Sequence, residues 1–278
     1  MNELITKIKQ NKKYNSIADN IIKKEIQRYI QKNKEPVTKK DIQILIKNVR
    51  AQLHRLYASY QTKKKSQIQL LLGKLKSAIH DNDSEKIKDC TNELLSITIS
   101  TKERLPKYKE IYEKIFEITG KPKIICDFGS GLNPFSIPLI NIPHVAYYAY
   151  DIDEKDVTIL NDYFQIMKHS VDGKAEVIDL EYINWKKIPT SDLILMFKVI
   201  DLIDTKSKRK NKISEEIIIN ALNGKTKNVI ASFATRTLTR KPMNLPRRIG
   251  FEKMLERNKL QFQTFSIENE IFYVISKE

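Results

Sequence analysis

Apolar residues recur at helical spacing through the first 118 residues of the chain. They return every three or four positions, a period that predicts amphipathic helices. Glycine occurs there once, at Gly73, and proline twice, at Pro36 and Pro106, so few positions interrupt a helix. The pattern therefore predicts an all-α first part, with helices over residues 17–30, 38–60, 68–79, 87–97 and 107–118.

The pattern changes after Pro122, where short apolar runs alternate with helical stretches. Strands that alternate with helices predict a parallel sheet with helices on both faces. Two closing strand-like runs are separated by only a few residues, which predicts an antiparallel hairpin at the end of the sheet. The predicted strands are 123–127, 145–150, 175–179, 192–199, 228–234, 261–267 and 271–276, with helices over 154–168 and 213–222.

The positive charge of the chain is concentrated at one end. Residues 1–80 hold 19 basic and 5 acidic side chains, a net charge of +14, whereas the whole chain has a net charge of +16. A confined basic excess is typical of a protein that binds a polyanion such as nucleic acid. A lysine-rich helical surface that serves only solubility is the alternative.

Composition excludes several classes of protein. Two cysteines, Cys90 and Cys126, are too few for a disulfide framework and fit no paired zinc spacing. No apolar run approaches the roughly 20 residues that a membrane span needs, and the N-terminus lacks the pattern of a secretory signal. We therefore expect a cytoplasmic protein without a metal or a membrane contact.

A glycine-containing loop follows the first predicted strand. Gly129 and Gly131 come directly after Asp127, and Asp151 closes the next strand. Glycines in a strand-to-helix turn let the backbone approach a ligand, and an acid at the end of the second strand can accept ribose hydroxyls. The third glycine of a dinucleotide fingerprint is absent, and Pro134 stands there instead. The loop resembles that of the class I S-adenosylmethionine (SAM) methyltransferases. The alternative is a tight structural turn in which Asp151, and likewise Asp179 after the third strand, only caps a helix.

Several short strings in a fixed order extend the resemblance to one family. They are Ser100–Leu105, Gly129–Pro134, Phe197–Lys198 and Ser232–Leu238, with Lys12-Lys13-Tyr14 before them and Glu268–Tyr273 after them. Each string alone is weak, but together they resemble the 16S rRNA (guanine-N7) methyltransferases that confer aminoglycoside resistance by modifying the decoding site.

The resemblance implies a division of the chain into two domains. Residues 1–105 would form a helical basic domain that docks on 16S rRNA in the 30S subunit. Residues 106–278 would form a class I SAM-methyltransferase domain, an α/β seven-stranded Rossmann-like sheet with a terminal antiparallel hairpin. SAM would be the cofactor, and we expect a monomer.

The resemblance also implies roles for individual residues. Arg104 would pair with the SAM carboxylate, Gly129 and Gly131 would contact the methionine part, and Asp151 the ribose. Asp179 and Ile178 would contact the adenine, and the cofactor set is completed by Asp127, Ile152 and Phe197. Lys198 and Arg236 would face the target guanine or its phosphate. The predicted RNA-binding residues are Lys7, Lys9, Lys12, Lys13, Lys23, Lys24, Arg50, Arg55, Arg240 and Lys241.

Two segments depart from the family pattern. Val199-Ile200-Asp201 replaces the Leu-Leu-Pro that commonly follows this lysine, and residues 239–244 contain no glycine. These departures leave two alternatives open. One is a SAM methyltransferase that acts on another rRNA position, such as an adenine, and the other is a non-catalytic RNA-binding paralogue.

Overall fold

Three helices at the N-terminus enclose a small hydrophobic core of their own. They are α1 (Asn2–Lys9), α2 (Asp19–Asn33) and α3 (Lys39–Leu56). Ile8, Ile22 and Leu53 are fully buried among them. The structure is a computed structural model, and it describes residues 1–56, 66–140, 142–204, 212–236 and 247–277. The apolar spacing correctly predicted α2 and α3, whereas α1 was not predicted.

The next helices lie against the sheet. They are α4 (Ile68–His80), α5 (Ser84–Leu95), α6 (Ile99–Arg104) and α7 (Tyr108–Thr119). Leu72 of α4 and Leu94 of α5 belong to the same core as Ile125 and Tyr147 of the sheet. The separate helical core thus ends at Leu53. A domain boundary at residue 105 stays a prediction, and the packing of α4 and α5 favours an earlier one.

The seven strands form one sheet in the order β3-β2-β1-β4-β5-β7-β6. Strands β1 to β5 pair in parallel, and β7 pairs antiparallel with both β5 and β6. This arrangement confirms the predicted α/β class with its terminal hairpin. The strands are β1 (Ile124–Phe128), β2 (Val145–Asp151), β3 (Val171–Val177), β4 (Ser191–Phe197), β5 (Thr226–Ala234), β6 (Gln261–Ile267) and β7 (Glu270–Ser276).

Helices cover both faces of the sheet. They include α8 (Glu154–Ile166), α9 (Ile200–Asp204), α10 (Ile213–Leu222) and α11 (Ile249–Arg257). Between β1 and β2 the chain forms a 3₁₀ segment, Asn133–Leu139, in which Pro138 removes a backbone donor that a continuing α-helix would need. The prediction of β3 over 175–179 was shifted toward the C-terminus, since the strand begins at Val171 and Asp179 follows it in a turn.

The strand order reverses direction between β1 and β4. A parallel sheet leaves a crevice beyond the carboxyl ends of its strands at such a point, and ligands of α/β proteins bind there. Each strand of this part ends in a residue of chemical interest: Phe128 precedes Gly129, Asp151 closes β2, and Phe197 precedes Lys198. The topology therefore brings sequence-distant residues to one edge.

Candidate active site

A cavity opens at this edge, between the ends of the parallel strands and the N-terminal helices. Apolar side chains such as Ile17, Leu180 and Ile203 form part of its wall. Most of the residues predicted for a cofactor meet here. The predicted residues that line the cavity are Arg104, Gly129, Gly131, Asp151, Ile152, Ile178, Asp179, Phe197 and Lys198.

The glycine loop needs its glycines for two different reasons. Gly129 has a φ of 71°, and a Cβ added there would stand 2.6 Å from Cγ2 of Val199. Gly131 has a φ of 48°, but a Cβ would meet nothing within 4 Å. Side chains with a Cβ rarely adopt such positive φ values. Gly129 is therefore fixed by both backbone conformation and close packing, and Gly131 by conformation alone.

The carboxylate of Asp151 is held by the backbone around it. One oxygen accepts a hydrogen bond from the Gly131 N–H at 2.8 Å, and the other accepts from the N–H groups of Ile152 at 2.7 Å and Asp153 at 3.1 Å. Burial raises the pKa of this carboxyl above its ordinary value, although these donors act in the opposite direction. The loop and the acid thus form one rigid unit, to which a ligand can add hydrogen bonds.

Asp127 lies behind the cavity wall and does not line it. Its carboxylate, in a residue only 1% exposed, accepts hydrogen bonds from the Tyr147 hydroxyl at 2.6 Å and from the Asn133 amide at 2.9 Å. Burial raises its pKa to about 6. Asp127 therefore supports the loop through Asn133, which lines the cavity and was not predicted, and the contact of Asp127 with the cofactor stays a prediction.

The opposite side of the cavity carries a cluster of charges. Nε and Nη2 of Arg104 both donate to the carboxylate of Glu270, at 2.8–3.1 Å, and the guanidinium lies 4.9 Å from the centre of the Phe197 ring. Both charged residues are buried, with exposures of 4%. Arg104 was predicted to bind a ligand carboxylate, and in the structure it pairs with a carboxylate of the protein. Sequence reasoning did not assign Glu270 a role, because no local spacing connects it with Arg104.

Lys198 joins the same cluster from the end of β4. Its Nζ lies 2.8 Å from a carboxylate oxygen of Glu103 and 3.2 Å from one of Glu270. Its backbone has a φ of 55°, and its N–H donates to the Ser232 side chain at 3.0 Å. This hydrogen bond holds the lysine in an unusual backbone conformation at the cavity wall.

The segment that follows Lys198 was the first departure from the family pattern. Val199 packs beneath Gly129, and Asp201 accepts a hydrogen bond from Arg248 at 2.9 Å. Both residues therefore have structural contacts in this protein. The second departure, residues 239–244, lies outside the described residues.

The N-terminal helices contact the cavity directly. Ile17 lines the cavity, and its backbone forms an isolated antiparallel β-bridge with Asp153. The carboxylate of Asp153 also accepts a hydrogen bond from the Ser16 hydroxyl at 2.7 Å. From α2, Nζ of Lys24 lies 2.6 Å from the Asp179 carboxylate. The basic N-terminal part and the cavity are thus joined through specific polar contacts.

Seven of the predicted RNA-binding side chains lie among the described residues, and they fall into two groups. Lys12, Lys13 and Lys23 are exposed. The others already have partners: Lys7 pairs with Glu3, Lys9 with Asp19 and Lys24 with Asp179, while Arg50 donates to the carbonyl of Ile8 at 3.3 Å. Because of this hydrogen bond, Arg50 has a structural role at the end of α1.

Arg236 is exposed just after β5 and does not line the cavity. Its predicted contact with the target therefore stays a prediction. The side chain of Arg55, together with Arg240 and Lys241, lies outside the described residues.

In the described part of the chain, no helix is long and apolar enough to cross a bilayer. Among those same residues, no group of three or more His, Cys, Asp or Glu side chains could hold a metal ion.

The sheet order, the glycine loop after β1 and the acid that ends β2 define a class I SAM-dependent methyltransferase fold. Within that class, residues 10–274 match the family described as ribosomal RNA methyltransferase (FmrO), and the chain belongs to this family.

Curated relatives carry a more specific name. The chain is 25% identical over 240 residues to a 16S rRNA (guanine(1405)-N(7))-methyltransferase of Micromonospora echinospora. The matched region covers 85% of this chain and 84% of that protein. It is 27% identical over 248 residues to the protein of the same name from Proteus mirabilis, with 84% of each chain covered.

A solved structure is similar over the whole length of the chain. The 16S rRNA methyltransferase RmtF, in complex with S-adenosyl-L-homocysteine, has a TM-score of 0.75, covers 100% of this chain and 98% of that one, and is 18% identical. At this identity the likeness supports the fold.

Proposed function

We propose that this protein transfers a methyl group from SAM to N7 of a guanine in the decoding site of 16S rRNA, on the 30S subunit, and thereby confers aminoglycoside resistance. The observation that carries the proposal is the family match over residues 10–274, which includes α2, α3 and the residues of the cavity. The curated relatives bear the name of this activity on guanine 1405.

The residues of the cavity fit SAM. The rigid loop of Gly129 and Gly131 leaves room for the methionine part, and Asp151 offers carboxylate lone pairs to ribose hydroxyls. Ile152, Ile178 and Leu180 supply apolar surface for an adenine ring. Arg104 supplies the cation that a ligand carboxylate requires. We assign the cofactor to this cavity on those grounds.

The chemistry demands little proton transfer from the protein. SAM, when bound, supplies a methyl group on a positively charged sulfur. Guanine N7 carries a lone pair and no proton, so no strong general base is needed, and alignment of the base can supply much of the rate. The task of the protein is then to hold the base and to exclude water. Lys198 lies at the cavity wall, where it can hold the guanine or its phosphate.

The target nucleotide must be reached before it can react. N7 lies on an edge of the base that a folded rRNA helix can cover, so the nucleotide would be flipped out at a cost of about a few kcal/mol. The exposed Lys12, Lys13 and Lys23 are suited to phosphate contacts that repay this cost. We further propose that the enzyme acts as a monomer in the cytoplasm.

Methyl transfer from radiolabelled SAM tests the proposal. The substrates are intact 30S subunits and, in parallel, naked 16S rRNA, because a composite rRNA surface would require the assembled subunit. We expect label in the 30S reaction, and Arg236→Ala should abolish it while SAM affinity by calorimetry stays unchanged. Unchanged turnover would remove Arg236 from the mechanism, and SAM binding without label on either substrate would favour an RNA-binding paralogue or another RNA.

A further inference from the structure

Glu270, the first residue of β7, joins three distant parts of the chain. Its carboxylate accepts from Nε of Arg104 at 2.9 Å and from Nη2 at 2.8 Å, and lies 3.2 Å from Nζ of Lys198. The Ser232 hydroxyl, at β5, also donates to it. One side chain that is 4% exposed therefore binds two cations and a hydroxyl.

The carboxylate is charged in this environment. Burial alone would raise the pKa of Glu270, but the cations Arg104 and Lys198 hold it below its ordinary value. A buried ion pair contributes little net stability, because desolvation of both partners offsets their attraction. Net stability alone therefore gives no reason for a charged cluster to lie beside the cavity.

Glu270 itself does not line the cavity, whereas both of its cationic partners do. It takes the Nε–Nη2 edge of the Arg104 guanidinium, and the Tyr108 side chain also hydrogen-bonds this group, so a ligand carboxylate would meet only the donors that remain. The ammonium of Lys198 has three N–H donors. Glu103 and Glu270 engage two of them, and one remains. In both cases the contact fixes the direction in which the remaining donors point.

We propose that Glu270 is a positioning residue that orients Arg104 for the cofactor and Lys198 for the target nucleotide. The inference rests on the proposed function for the identity of the two ligands. It implies that loss of a single buried charge impairs cofactor binding and turnover together, although Glu270 touches neither ligand.

The variant Glu270→Gln tests this, because it keeps the shape and removes the charge. We expect the Kd for SAM, by calorimetry, to rise about tenfold and kcat on 30S subunits at saturating SAM to fall about tenfold. Glu256→Gln makes the same change of charge at an exposed position on α11 and serves as the control, with both constants within about twofold of the parent.

A purely structural role gives a different result. In that case Glu270→Gln would lower the melting temperature, while Kd and kcat per folded molecule stayed at parental values, and the proposal would be overturned. A change in only one of the two constants would also contradict it. In a Lys198→Met background, Glu270→Gln should still weaken SAM binding but reduce kcat further by less than about threefold, since the two residues act through one contact.

Ser232→Ala keeps the proposal testable if Glu270→Gln does not fold. It preserves the charge cluster but removes the hydroxyl that contacts both Glu270 and the Lys198 backbone. We expect a fall in kcat of about three- to tenfold with a smaller rise in Kd. Parental values for both constants would count against the proposal.

Failure of the proposed function remains distinguishable. If the parental enzyme modifies a nucleotide other than a guanine, the comparison of Kd and kcat can still be made on that substrate. If no RNA is methylated, the Kd for SAM is the measurement that tests the positioning role. An unchanged Kd in Glu270→Gln would then overturn it.

Discussion

The two sides of the cavity hold buried carboxylates in opposite electrostatic settings. On the glycine-loop side, Asp127 accepts hydrogen bonds from the neutral side chains of Tyr147 and Asn133, and burial raises its pKa to about 6. On the hairpin side, burial acts on Glu270 in the same direction, but Arg104 and Lys198 bring its pKa below the ordinary value. The first side is built from backbone and neutral hydrogen bonds, and the second from paired charges. The difference suggests that one side supplies shape and the other orients charged groups.

The largest effect is expected from Gly129→Ala, which alters the shape of the loop side. The new Cβ would stand 2.6 Å from Val199, at a φ of 71°, so the loop must move. We expect SAM to bind at least about 100-fold more weakly by calorimetry, because both strain and overlap oppose the bound geometry.

Gly120→Ala is the matched control for this substitution. Gly120 has a φ of 75° but open space around its Cβ position. It should lower stability by about 1 kcal/mol and leave SAM affinity unchanged. Gly129→Ala combined with Val199→Ala should recover part of the affinity, and no recovery would mean that strain rather than packing sets the effect.

Lys198→Met should affect the hairpin side alone. The lysine contacts Glu103 and Glu270, and no hydrogen bond links it to the loop that carries Gly129 among the described contacts. We expect kcat on 30S subunits to fall about 10- to 100-fold, with the Kd for SAM within about threefold of the parent. A large loss of SAM affinity would show that the two sides do not have separate tasks.

How far each side could be predicted follows from where its residues lie in the sequence. The loop and Asp151 come from consecutive strand ends, so a local pattern predicted them. The Arg104–Lys198–Glu270 cluster joins positions more than 70 residues apart. The pairing of β4 with β5 and of β5 with β7 brings Lys198 and Glu270 to one edge of the sheet, and the end of α6 places Arg104 beside them. Arg104 and Lys198 were predicted through family resemblance, and Glu270 was missed.

The errors in predicting the fold also come from contacts between residues that are far apart in the sequence. Periodicity predicted most helices and all seven strands, but it carries no information about which core a helix joins. The apolar faces of α4 and α5 look like those of α2, yet they pack against the sheet. Likewise, charge counts could not separate the exposed Lys12 from Arg50, whose side chain caps α1.

A smaller effect is expected on the pH dependence of stability. Because the pKa of Asp127 is raised in the folded protein, the native state retains a proton that the unfolded chain releases between about pH 4 and pH 6. Stability from this group is present at low pH and lost as pH rises through the folded pKa. Relative to Asp127→Asn, the parent should lose roughly 1–3 kcal/mol of unfolding free energy from pH 4 to pH 7.

Glu270 should give the opposite sign. Its lowered pKa contributes stability that is present above the pKa of the unfolded chain and is lost as pH falls. Denaturant unfolding of the parent and both variants across this pH range checks the pair of predictions. Curves of the same sign for the two variants would contradict the contrast between the two sides.

The smallest effect is expected on the salt dependence of 30S binding. It compares exposed lysines with a lysine that pairs with an acid. Lys12 and Lys13 are exposed, whereas Lys9 lies 2.6 Å from Asp19. We expect Lys12→Ala with Lys13→Ala to reduce the slope of log K for 30S binding against log salt by about 2. Lys9→Ala should reduce it by less than about 1, and equal slopes for all variants would place the phosphate contacts elsewhere.

In the function proposed above, this cavity delivers a methyl group to guanine N7. Methylation at N7 makes the nucleotide susceptible to reduction and strand scission, so treated 16S rRNA from the 30S reaction can be mapped by primer extension. We predict one new, SAM-dependent scission site at a guanine of the decoding-site helix. Incorporated methyl label with no scission at any guanine, or with a reverse-transcription stop at an adenine instead, would contradict the account.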